Sequence, residues 1–219
     1  LSEEFREKAK TIFEAALTSK VKEIQETLET QYQSQLDETK EELKNAVDFY
    51  FKDSNYNKNK YYPMELWDTS LITDMSLLFS ENKHFNININ SWDVSNTGNM
   101  IGMFFGASAF NGNISGWTTT GLTNTQSMFT SAIAFNQDIS GWSVSGVSDM
   151  RNMFQGCIVF NQDLSSWDVS SVNYMMCMFI YCVSFNQNLE NWDTRSLVND
   201  YRMFEGCKNI KLFRNRIYV

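Results

Sequence analysis

Two different periods govern where apolar residues fall along this chain. From Met64 onward the period is 25 residues, set by Trp67, Trp92, Trp117, Trp142, Trp167 and Trp192. Phe79, Phe104, Phe129, Phe154, Phe179 and Phe204 keep the same interval. So do Phe85, Phe110, Phe135, Phe160 and Phe185, each followed by an asparagine: Asn86, Asn111, Asn136, Asn161 and Asn186. Met64, Ile89, Ile114, Ile139, Leu164 and Leu189 form a further column, as do Ile72, Thr97, Leu122, Val147, Val172 and Leu197. A fixed period of this size marks a repeat architecture. In the unit from Phe135 to Val159 the pattern turns Phe135, Ile139, Trp142, Val144, Val147, Met150 and Phe154 inward, with Cys157 as a small filler. Burying seven such side chains yields about 14 kcal/mol. Ordering a unit of this length costs roughly 40 kcal/mol. One unit therefore cannot fold alone, and neighbours must stack on both of its faces.

Within a unit, "QDISGW" alternates with period two through Ile139 and predicts a short strand, which stacking would align into a parallel sheet. "VSDMRNMF" spaces Val147, Met150 and Phe154 by three and four and predicts a helical turn, with Ser145 and Ser170 placed to cap such turns. The Asn136 column predicts an internal asparagine ladder bonding backbone amides between coils. The expected fold is a right-handed, leucine-rich-repeat-like α/β solenoid of six coils over residues 64–219. A partial seventh unit with Ile210, Ile217 and Val219 in register, and with basic Lys208, Lys211, Arg214 and Arg216, is expected to cap its end.

Before the repeats the period changes. Phe5, Ala9, Ile12, Phe13, Ala16, Leu17, Val21, Ile24 and Leu28 follow steps of mostly three and four, the stripe of an amphipathic helix over residues 2–52. Ser2 is placed to cap it, and Glu3 and Glu4 suit its positive end. The stripe thins at Gln31, Gln35 and Thr39 and resumes at Leu43, Ala46, Val47 and Tyr50. Phe5, Ile12, Phe13, Leu17, Val21, Ile24 and Leu28 are the candidate docking residues. The stripe suits either a solvated helix with a modest packing face or a self-associating coiled coil. Residues 53–63, ending in the only proline, Pro63, read as a polar linker. This organisation predicts that residues 2–30 dock and that residues 64–219 fold without them.

Charge narrows the partners. Net charge is −8, and from Met64 to Asp200 only Lys83, Arg151 and Arg195 are basic against 12 acids. Phosphate neutralisation needs clustered Lys and Arg, so nucleic acid is not an expected partner of the repeats. No apolar run is long enough to predict a membrane span. The single histidine, His84, leaves no Ser-His-Asp or Cys-His set to assemble, and no glycine-rich phosphate loop is present. The reading is non-enzymatic and calls for no cofactor and no metal. Cys157, Cys182 and Cys207 share a column with Ala107 and Ala132, which favours small buried thiols over disulfides or zinc, and Cys177 lies off it. Asp68, Asp93, Asp168 and Asp193, and the column of Asn88, Asn113, Asp138, Asp163 and Asn188, suit turns better than calcium. The tryptophans suit a packing spine better than a ligand platform.

The motif "MFQGC…FNQDLSSWDVSSV…M" resembles the 25-residue repeat of BspA-like and mycoplasma-type surface proteins over residues 64–209, with departures at Thr118 and Thr125. That resemblance implies a leucine-rich-repeat-like, non-catalytic binding protein at a cell surface or outside the cell. "LSEEFREKAKTIFEAALTSKVKEIQETLE" resembles the start of the prohead core scaffolding protein of T-even-type tailed phages. That implies a virion-assembly setting with a capsid or other virion protein as partner. Together they predict a structural protein of a phage particle, docked by its helix. The alternative is a secreted or cell-surface adhesion protein.

Overall fold

The computed structural model describes residues 3–52 and 63–207, without every side chain of the helix. Helix α1 runs Glu3–Lys52. It has no internal glycine or proline, and Thr18, Thr27, Thr30 and Thr39 turn their hydroxyls back onto carbonyls four residues earlier. Its apolar stripe divides in two. Leu43 and Val47 are buried in the same cluster as the core of the repeats. Lys40 reaches the first coil, where its Nζ donates to Asp74 Oδ2 at 2.6 Å and to Ser76 Oγ at 3.0 Å. The linker expected over 53–63, apart from Pro63, and the basic cap over 208–219 lie outside the described residues. A short 3-10 turn, Met64–Leu66, opens the repeats.

Six coils follow, beginning at Met64, Ile89, Ile114, Ile139, Leu164 and Leu189. The expected α/β solenoid is not what they form. Among the described residues there is no sheet and no helix after Leu66. Parallel pairing is reduced to single bridges joining Asp74, Asn99, Asn124, Asp149, Tyr174 and Asn199 in succession. The coils are stacks of tight turns. Leu78, Ser80 and Asn82 donate to the carbonyls three residues before them, at Met75, Leu77 and Phe79. Between those donors, Met75, Leu77, Phe79 and Glu81 donate to Asn99, Ile101, Met103 and Phe105 of the next coil. This pattern recurs down the stack, ending with Met175, Cys177, Phe179 and Tyr181 donating to Asn199, Tyr201, Met203 and Glu205.

The backbone geometry explains why neither a strand nor a helix forms. Each coil has two residues with φ between 55° and 80°, at the columns of Leu77 and Glu81. A positive φ at the third position defines type II turns and interrupts both regular structures. Glycine serves at Gly102, Gly106, Gly156 and Gly206, whereas Ser127, Ser131, Asn152, Cys177, Tyr181 and Arg202 carry a side chain there. The segment expected as a strand loses its pairing for another reason. The carbonyls of Met64, Ile89, Ile114, Ile139 and Leu164 accept the indole Nε1–H of the tryptophan 28 residues later, at 2.8–3.2 Å.

Side chains form parallel columns. The Phe79 column stacks ring on ring at 5.4–5.7 Å. The Phe85 column does so at 5.3–5.9 Å. The two columns touch within each coil at 3.8–4.3 Å. All eight residues predicted to face inward between Phe135 and Cys157 are buried. The asparagine column does form a ladder, though along the half-exposed to exposed rim and not inside. Each Oδ1 of Asn86, Asn111, Asn136 and Asn161 accepts the backbone N–H of the next asparagine at 2.8–3.0 Å.

Two expectations follow. Trp142→Ala removes a buried ring and one of the two donors to the Ile114 carbonyl, so it should cost about 3 kcal/mol or more in urea melts. The same change at half-buried Trp67 should cost less. Among glycines, a Cβ at Gly112 would overlap the Ile87 carbonyl, whereas one at Gly141 meets nothing within 4 Å. Gly112→Ala should therefore lower the melting temperature sharply, and Gly141→Ala should leave it nearly unchanged.

Candidate interaction surfaces

The surfaces on offer follow from which columns the stack leaves uncovered. On α1, Leu17, Val21, Ile24 and Leu28 are between 46% and 58% exposed, and Tyr32 continues the same stripe. These side chains lie one turn apart on one face. Phe5, Ile12 and Phe13 belong to the same helix but lie outside the described side chains. The bare stripe passes through half-buried Leu36 into the covered contacts at Leu43 and Val47. Its outer flank is charged, with Lys20 paired to Glu23 at 2.8 Å and Lys22 near Glu26 at 3.8 Å. No helix among the described residues is long and apolar enough to cross a membrane.

The acidic columns build corners. Asp68, Asp93, Asp138, Asp163 and Asp168 each accept the backbone N–H two residues on, from Ser70, Ser95, Ser140, Ser165 and Ser170. Asn88, Asn113 and Asn188 do the same for Asn90, Ser115 and Glu190. Hydroxyl and amide of the partner serine hold Asp68, Asp93, Asp138 and Asp168 below the usual carboxylate range. The Arg195 guanidinium and amide pull Asp193 down to about 2. Oxygens that a cation would need are thus engaged by the chain's own turns.

Three cysteines line the small-residue column. Cys157, Cys182 and Cys207 donate Sγ–H to the carbonyls of Phe129, Phe154 and Phe179 at 2.8–3.0 Å. Burial pushes the thiols of Cys157 and Cys182 far up, and that of half-buried Cys207 up to about 11. Cys177 sits elsewhere, in the positive-φ column and partly exposed. All four are free thiols.

The periodic pattern gave no hint of an aromatic face on the last two coils. Tyr174, Tyr181 and Tyr201 are exposed beside Val198. The Arg151 guanidinium lies 5.4 Å from the Tyr174 ring centre, and Arg202 lies 5.8 Å from that of Tyr201. Both arginines are also paired, to Asp149 and Glu205. The signal that could have found this face was departure from a column. Tyr174 replaces the Asp or Asn of other coils, and Tyr181 stands where three coils use Gly and one uses Ser.

Stacked coils of one period define a tandem-repeat protein. The chain belongs to the family described as "Mycoplasma protein of unknown function, DUF285", which matches residues 45–157 and 117–214. Its helix is similar to the T4-phage like capsid assembly scaffolding protein family over residues 1–57. No curated protein and no solved structure matches the chain. The two family matches overlap at residues 45–57, within and just beyond the part of α1 that packs on the first coil.

Thiol titration of the native protein should find Cys177 reacting first and Cys157 and Cys182 slowest, with four thiols after denaturation without reductant. Asp74 gives a second test. Burial raises its pKa, but Lys40 and Ser76 outweigh that and hold it below the usual range. A carboxylate depressed on folding stabilises above its unfolded pKa of about 4, and that contribution fades as pH falls through the folded value. Asp74→Asn should lower the melting temperature at pH 7, and the difference from the parent should shrink as pH falls toward 2.

Proposed function

We propose that this protein is a non-catalytic structural component of a phage particle or its assembly intermediate. The bare stripe of α1 docks to a head or scaffold protein, and the stack presents a polar surface outward. The observation that carries this reading is the split of α1. Its later residues pack on the first coil, and Leu17, Val21, Ile24 and Leu28 stay bare in a segment similar to the capsid scaffolding family. A non-catalytic role is supported by the side chains that chemistry would recruit, since the aspartates hold turns and the column cysteines are buried. A second α1 is the other occupant the stripe suits.

Family membership and the tyrosine face favour a second reading, a binding protein at a cell surface or outside the cell. The test uses the double variant Ile24→Asp, Leu28→Asp. Both positions are exposed, so its melting temperature should match the parent. Co-sedimentation with gradient-purified proheads should fall at least about ten-fold, the loss expected when apolar anchors are replaced by charge. Unchanged co-sedimentation would refute docking through the stripe. Immunogold label on cell envelopes and not on proheads would favour the surface reading.

A further inference from the structure

The tyrosine face of coils 5 and 6 holds its rings in fixed places. The Arg151 guanidinium lies over the Tyr174 ring and that of Arg202 over the Tyr201 ring. Tyr174 is still 40% exposed and Tyr201 65%. Tyr181 lies against the Gly206 backbone, where an added Cβ would come within 2.5 Å of its Cδ1. Glu205 holds the pKa of Arg202 up, with smaller contributions from Tyr201 and Tyr181, so both rings lie near one guanidinium. Aromatic and guanidinium planes thus share one platform. Its charges are already cancelled. Arg151 Nε donates to both carboxylate oxygens of Asp149 at 3.0 Å, and its Nη2 donates to Oδ2 at 2.6 Å. Arg202 meets the two carboxylate oxygens of Glu205 through Nε and Nη2. Fork-on-fork pairing of this kind fixes the planes of both partners.

Three ligand classes fit this platform poorly. An anion would have to displace a carboxylate from each arginine and approach a chain of net charge −8. A cation would meet two guanidinium groups. Tyrosine and arginine also serve protein interfaces, but the centre of such an interface is apolar and depleted of charge. Here the rings are bordered by ion pairs, and Val198 is the one exposed large aliphatic residue of these two coils among the described residues. A neutral, hydroxyl-rich ring fits better. The C–H face of a sugar is slightly positive and matches the negative face of a tyrosine ring. Its hydroxyls can donate to the carboxylates and exchange hydrogen bonds with the phenols. We propose that the tyrosine face of coils 5 and 6 binds a neutral oligosaccharide, stacked on Tyr174 and Tyr201 beside the paired arginines. Because the planes are already fixed, little side-chain freedom is lost on binding. The assignment rests on the tyrosine face being a binding surface, as in the cell-surface reading, and it does not involve the stripe of α1.

The test applies the full chain to an array of immobilised neutral, sialylated and sulfated glycans. Neutral glycans should retain it, and raising salt to about 0.5 M should change the signal less than about two-fold, because the charges involved are already paired. Tyr174→Ala and Tyr201→Ala should each weaken binding at least about ten-fold, the loss of one stacking partner. Both side chains are exposed, so both variants should melt cooperatively near the parent temperature. Leu71→Ala, at a residue 73% exposed on coil 1, should bind as the parent does. An array with no bound protein overturns the proposal. So does binding confined to sialylated or sulfated glycans, or binding that survives both tyrosine substitutions. Ile24→Asp, Leu28→Asp should leave the array signal unchanged, so a failure here and a failure of docking through α1 are read separately.

Discussion

The stack depends on a run of turns in each coil that aims every second amide at the following coil. In an ordinary β-strand successive amides point to opposite neighbours, so each strand both gives and receives on each side. Here Met75, Leu77, Phe79 and Glu81 all give to the same neighbour, and the residues between them close local turns. That alternation needs a left-handed residue at two columns in every coil. A left-handed conformation costs a residue with a side chain about 1–2 kcal/mol. Twenty-five-residue units tolerate it because each turn is fixed by bonds to the next coil as well as within itself.

The apolar columns answer the same geometry. Coils this close align identical side chains, so flat rings stack well and branched residues serve only where the column has room. Phenylalanine fills the two innermost columns, and both are fully buried from Phe85 to Phe185. Tryptophan does two jobs at once. Its ring adds to the core, and its Nε1–H serves a carbonyl that no strand partner reaches. The asparagine rim and the aspartate corners complete the polar pairing at the edge.

Much of this was legible in the sequence, and the misses are physical. The period, the inward residues from Phe135 to Cys157 and the course of α1 follow from spacing alone, because burial imposes a strict pattern. The strand and helical turn did not form because period-two and period-four spacing say nothing of the sign of φ. Gly102 and Gly156 hint at it, but Leu77, Tyr181 and Arg202 adopt the same conformation without a residue type that announces it. The contact of Lys40 with Asp74 joins residues 34 apart across the linker, and no local pattern carries it. The exposed tyrosines of the last coils depart from their columns, so the period that marks the fold does not mark them.

The fixed register of hydrogen bonds between coils has a genetic corollary. Since each internal coil meets its two neighbours through the same register of hydrogen bonds, any internal coil can follow any other. Recombination between near-identical stretches such as "FNQDISGW" and "FNQDLSSW" removes or adds one whole unit and leaves both ends chemically as they were. The loss of a single codon inside a coil breaks the Trp, Phe and Asn columns together. Array length is thus free to drift between lineages in steps of one coil, while the spacing within a coil is held fixed.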